Sequence, residues 1–168
     1  MATREILLRD ALSPDPTNAS APFWQPASIL DANDLHDGLQ VLVFPDGSTK
    51  IGAMVEFELP TNYVGTPTFV IRWKSAATTG DVVWDVDYNT IGVGETGDPS
   101  AYTESLTVTD TVAGTARLDS EVSVAATAGN FAVGDRVLIT LSRDLVDSND
   151  TMADEAELIG FKLTFTDI

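Results

Sequence analysis

Cysteine is absent from the 168-residue chain, which excludes a disulfide framework and any thiolate metal site, so the fold must be held by its own packed core. Positive charge is scarce. Nine Lys and Arg stand against twenty-six Asp and Glu, a formal net charge of −17, and such a surface repels phosphate backbones instead of displacing their counterions. Nucleic acid is therefore not an expected partner. Histidine occurs once, as His36 between Leu35 and Asp37, in an irregular stretch that offers a general base no rigid support. No G-x-S-x-G sequence is present either, so the chain shows no nucleophile turn on which a Ser-His-Asp triad is expected. No apolar run approaches the roughly 18 residues of a membrane span. Arg4, Glu5, Arg9 and Asp10 hem in Ile6, Leu7 and Leu8, so neither a membrane segment nor a signal-peptide core is expected.

What is present reads as one soluble domain. Hydrophobic residues make up 43% and charged residues 21% of the chain, a balance that folds, at a length near the commonest domain size. Residues 1–38 form an extended N-terminal arm, broken by Pro14, Pro16, Pro22 and Pro26. Its two aromatic residues, Phe23 and Trp24, need a surface to dock on, either an end of their own sandwich or a neighbouring subunit.

Residues 39–168 carry short runs of period-two alternation separated by turn chemistry, the pattern of an antiparallel β-sandwich of about eight strands. Phe69, Ile71 and Trp73 alternate with Val70, Arg72 and Lys74, and Val82, Trp84, Val86 and Tyr88 alternate with Val83, Asp85 and Asp87. Val137, Ile139 and Leu141, then Phe161, Leu163 and Phe165, continue the inward set, which Phe57 joins. Pro45 to Ser48 and Ala76 to Gly80 read as hairpin loops. The second would set Arg72 and Lys74 across from Asp85 and Asp87. Only Thr151 to Leu158 could form a helical turn or two. Long crossovers among the remaining strands favour a jelly-roll arrangement.

Candidate chemistry is sparse. Two oxygen-rich clusters have the composition of a calcium loop without the spacing of an EF-hand: Asp31, Asn33, Asp34 and Asp37, and then Asp144, Asp147, Asn149 and Asp150. The second is the stronger. Gly92 to Gly97 lacks the Lys-Ser/Thr of a phosphate-binding loop. No catalytic residue and no cofactor are expected. Trp73 and Trp84 fall on the inward phase, which leaves Tyr63, Tyr102 and Trp24 as the aromatics available to a carbohydrate.

The runs Val55 to Tyr63, Phe69 to Trp73 and Gly80 to Val86, with Leu141 to Asp144, Asp150-Thr151 and Leu158 to Phe161, resemble small jelly-roll β-sandwich proteins among the structural proteins of tailed bacteriophages. That resemblance implies a capsid decoration (cement) protein made in the host cytoplasm, sitting on the virion as a homotrimer and bound to the major capsid protein or another virion protein. On this expectation Phe23 and Trp24 supply partner or oligomer contacts, and deleting the arm leaves the sandwich folded. The alternative it leaves open is a tail, receptor-binding or carbohydrate-binding sandwich module.

Overall fold

The computed structural model of the chain describes residues 2–14, 20–26, 40–96, 102–127 and 129–167. Within them lie β1 (Thr3–Leu7), a single 3-10 turn (Arg9–Ala11), β2 (Ser13–Pro14), β3 (Phe23–Pro26), β4 (Gln40–Phe44), β5 (Ile51–Glu58), β6 (Tyr63–Lys74), β7 (Asp81–Ile91), β8 (Glu104–Thr111), β9 (Ser120–Ala125), β10 (Arg136–Arg143) and β11 (Ala156–Asp167). They form a sandwich of two antiparallel sheets. One runs β3-β4-β11-β6-β9 with β1 added to β11, and the other runs β2-β5-β10-β7-β8.

The alternation in the sequence places the core. Phe69, Ile71 and Trp73 of β6 and Phe161, Leu163 and Phe165 of β11 face Val82, Trp84, Val86 and Tyr88 of β7 and Val137, Ile139 and Leu141 of β10, all buried. Trp73 and Trp84 meet edge to face with centroids 6.2 Å apart, and Phe44 meets Trp84 at 5.1 Å, spacings at which aromatic pairs add to the energy of burial. Phe57 is half-buried and packs against this cluster.

Both expected hairpins are corrected by the structure. β4 and β6 belong to one sheet and β5 and β7 to the other, so the turns after Phe44 and after Lys74 cross the sandwich. Turn chemistry encodes a chain reversal, and a partner across the core satisfies a reversal as well as a neighbour in the same sheet. Arg72 therefore pairs with Glu121 at 3.1 Å and Lys74 with Glu157 at 3.5 Å, while Asp85 and Asp87 take Lys50 at 2.7 and 3.1 Å. The helical turn expected at Thr151 to Leu158 is also absent. Arg143, fully buried, draws the carbonyls of Met152 and Asp154 and the carboxylate of Asp150 onto its guanidinium, so those carbonyls are not available to a helix, and β11 starts at Ala156.

The N-terminal segment is seated on the sandwich. β1 pairs with β11, β2 with β5 and β3 with β4. Leu8 and Leu12, on either side of the 3-10 turn, are 1% and 3% exposed members of the core. Trp24 is half-buried against the same core, whereas Phe23 is exposed.

Candidate functional site

The register of β11 creates a groove on the outer face of its sheet. Leu158 pairs with Trp73 but Gly160 with Arg72, so Ile159 is one residue too many, a β-bulge that bends the strand. At the same place β4 leaves β11, its last partner being Leu158, and β1 takes over at Lys162. Leu8 bridges the interval by donating its N–H to the Phe161 carbonyl at 2.8 Å. With no side chain on Gly160, a depression of about 390 Å³ opens there, within the usual range for small-ligand sites.

Leu7, Val70, Ile159 and Phe161 give the groove its apolar lining, and Arg9, Asp10, Arg72, Glu121 and Lys162 its polar groups. Three of the nine basic residues of the chain thus line one groove. Each has an acidic partner: Arg72 Nε donates to Glu121 Oε2 at 3.1 Å, Lys162 Nζ to Glu5 Oε1 at 2.7 Å, and Arg9 Nε to Asp10 Oδ1 at 2.7 Å. Arg9 also donates to the Gln40 carbonyl at 3.0 Å and lies over the Trp24 ring at 5.9 Å. In a molecule of charge −17, the site is locally balanced and offers donors and acceptors side by side.

The expected sites fare differently. Asp144, Asp147, Asn149 and Asp150 share a loop but serve it structurally. Asp144 Oδ1 accepts the Val146 N–H, Asp147 Oδ1 accepts from Asn149, and Asp150 accepts two bonds from Arg143 and one from the Val83 N–H. Among the described residues no group of three His, Cys, Asp or Glu is arranged to hold a metal. His36 and the cluster Asp31, Asn33, Asp34 and Asp37 lie outside the described residues. Tyr63 is buried, donating its hydroxyl to the Gly65 carbonyl, while Tyr102 is exposed with its hydroxyl 3.3 Å from Thr140 Oγ1. Trp73 and Trp84 are wholly buried and form no platform.

Among the described residues, two carboxylates have displaced pKa values, and both are displaced downward. Burial pushes Glu104 up, but hydrogen bonds from Thr127 and Tyr88 outweigh it. Asp167 is held below the usual range by the Arg4 guanidinium and the Ala2 N–H. Sequence reasoning missed the groove. Its one trace is a slip in phase, since Leu158 and Phe161 are both inward and three residues apart.

No family model matches the sequence, and no curated protein matches it. Solved structures share the fold at low identity. CBM35, a family 35 carbohydrate-binding module, from Paenibacillus barcinonensis superposes with a TM-score of 0.51 at 10% identity over 95% of this chain and 97% of its own. The exo-β-1,3-galactanase of Phanerochaete chrysosporium gives 0.52 at 9% identity over 97% of this chain and 29% of its own. The enzymatically active domain of tailspike protein 4 from bacteriophage CBA120 gives 0.52 at 6% identity, over 95% and 20%. At these identities the likeness is one of fold alone.

Proposed function

We propose that the chain is a carbohydrate-binding β-sandwich module whose ligand is an uncharged oligosaccharide lying in the groove at Gly160. The observation that carries this reading is the groove's composition. A sugar ring presents an apolar C–H face and a rim of vicinal hydroxyls, and the site has an aliphatic lining beside adjacent donor and acceptor pairs at Arg72 and Glu121 and at Lys162 and Glu5. A charged ligand would have to break these pairs, whereas a hydroxyl pair can bridge them. The end-to-end fold likeness to a carbohydrate-binding module supports the reading.

Calorimetry and affinity electrophoresis on a panel of neutral plant and bacterial polysaccharides test it. Binding to at least one member is expected. Arg72→Ala removes hydrogen bonds from a charged donor, each contributing about 1.5–3 kcal/mol, and should weaken that binding about tenfold or more. A Cβ at residue 160 would lie 3.5 Å from Arg72 Cβ, an ordinary contact, so Gly160→Leu should fill the groove while keeping the fold, and should abolish binding. A panel without any binder, or variants that bind as the parent does, would overturn the proposal.

A further inference from the structure

A second feature stands apart from the groove, at the end of the other sheet. There the chain makes two turns of one pattern, Gly92-Val93-Gly94-Glu95 after β7 and Ala132-Val133-Gly134-Asp135 before β10. In each, the fourth N–H donates to the first carbonyl, at 3.1 Å in both. The fourth carboxylate in turn accepts the first N–H, at 2.8 Å from Gly92 and 3.0 Å from Ala132. The third residue has a φ of +91° at Gly94 and +79° at Gly134, which glycine adopts without strain. Both turns are thus locked by a backbone bond and a side-chain bond. The remaining position, normally polar at a turn tip, is valine in both. Val93 is fully exposed and Val133 is 52% exposed.

The twin turns adjoin each other. Arg136 pairs with Ile91 across β10 and β7, and a Cβ on Gly92 would lie 3.5 Å from Asp135 Oδ1. Below them is a cleft of about 450 Å³ lined by Phe57, Ile91 and Val93 with Glu56, Glu58 and Arg136. Arg136 is spent on Glu56 at 3.4 Å, so Glu58, Glu95 and Asp135 leave the rim acidic. Apolar tips held rigid beside excess negative charge lower the ordering cost of association and select a partner of opposite sign. A second copy of this chain would bring the same carboxylates to the contact.

We propose that the twin turns are a docking surface for a basic protein segment, which seats an aliphatic side chain between Val93 and Val133 and sets its Lys or Arg against Glu58, Glu95 and Asp135. Methyl-labelled full-length chain, titrated with the peptide (Lys-Leu)4 and with (Lys-Ser)4 and (Glu-Leu)4 as controls, tests this by NMR. Shifts confined to the methyls of Ile91, Val93 and Val133 are expected with (Lys-Leu)4 alone, weakening as salt screens the rim. The double variant Val93→Ser with Val133→Ser should keep the melting temperature and lose at least tenfold in affinity. Unmoved methyls, equal shifts with (Lys-Ser)4, shifts spread over the whole acidic surface, or a response of these valines to a neutral oligosaccharide instead would each overturn it.

Discussion

Lys50 shows how single residues hold the outer face of the second sheet. Its ammonium bridges Asp85 and Asp87, whose other oxygens accept hydroxyls from Thr107 and Ser105. Burial lowers the ammonium's pKa, but the two carboxylates outweigh it and hold the group above its ordinary value of 10.5. A pKa raised in the folded state contributes stability that is complete below the unfolded value and lost as pH rises through the folded one. Urea denaturation between pH 7 and 11 should therefore show Lys50→Met less stable at neutral pH, because Asp85 and Asp87 stay buried without their cation. The variant should also lose part of the parent's decline above pH 10.5. An unchanged neutral stability would show that the bridge contributes nothing. The pairing itself was not legible beforehand, since Lys50 lies far in sequence from both carboxylates and the expected cations, Arg72 and Lys74, were as plausible by spacing.

At the scale of elements, the crossing from β6 to β7 depends on a close approach. Gly80 has a φ of +103°, and a Cβ there would lie 2.7 Å from Met152 Cα, a backbone atom that cannot rotate away. Gly80→Ala should destabilise the fold by about 1–3 kcal/mol through the backbone conformation alone, with the clash adding to it. A melting temperature equal to the parent's would refute this account of the crossing. Several strands of the sandwich were readable, β10 running Arg136–Arg143 as its alternation indicates, whereas β1, β2 and β3 lie in the stretch that reads as an arm. The partners of the readable strands were not legible, because period two specifies which face a residue takes and is silent about which sheet the strand joins. The bulge at Ile159, and with it the groove, follows from such a pairing.

For the molecule as a whole, charge sets the terms of association. Copies carrying −17 each repel one another, so a homotrimer of the kind implied by the bacteriophage resemblance, if it forms, should strengthen with added salt. Light scattering that gives a single-chain mass at every ionic strength, together with failure to cosediment with heads, would overturn that assembly. The carbohydrate reading and the basic-segment reading make separate demands on the surface, one on the balanced groove of the first sheet and one on the acidic tips of the second. The Arg72 and Val93 variants test them independently.

By itself the sequence determined an acidic, disulfide-free antiparallel sandwich and the names of much of its core, since alternation and composition depend on each residue's own chemistry and its near neighbours. Tertiary structure alone decided that β4 and β5 lie in different sheets and that Leu8 and Leu12 plug the core. It likewise set Arg72 beside Glu121 and brought two turns forty residues apart into contact. These are choices among long-range pairings of similar local energy, settled by how the whole set of strands buries its apolar faces together.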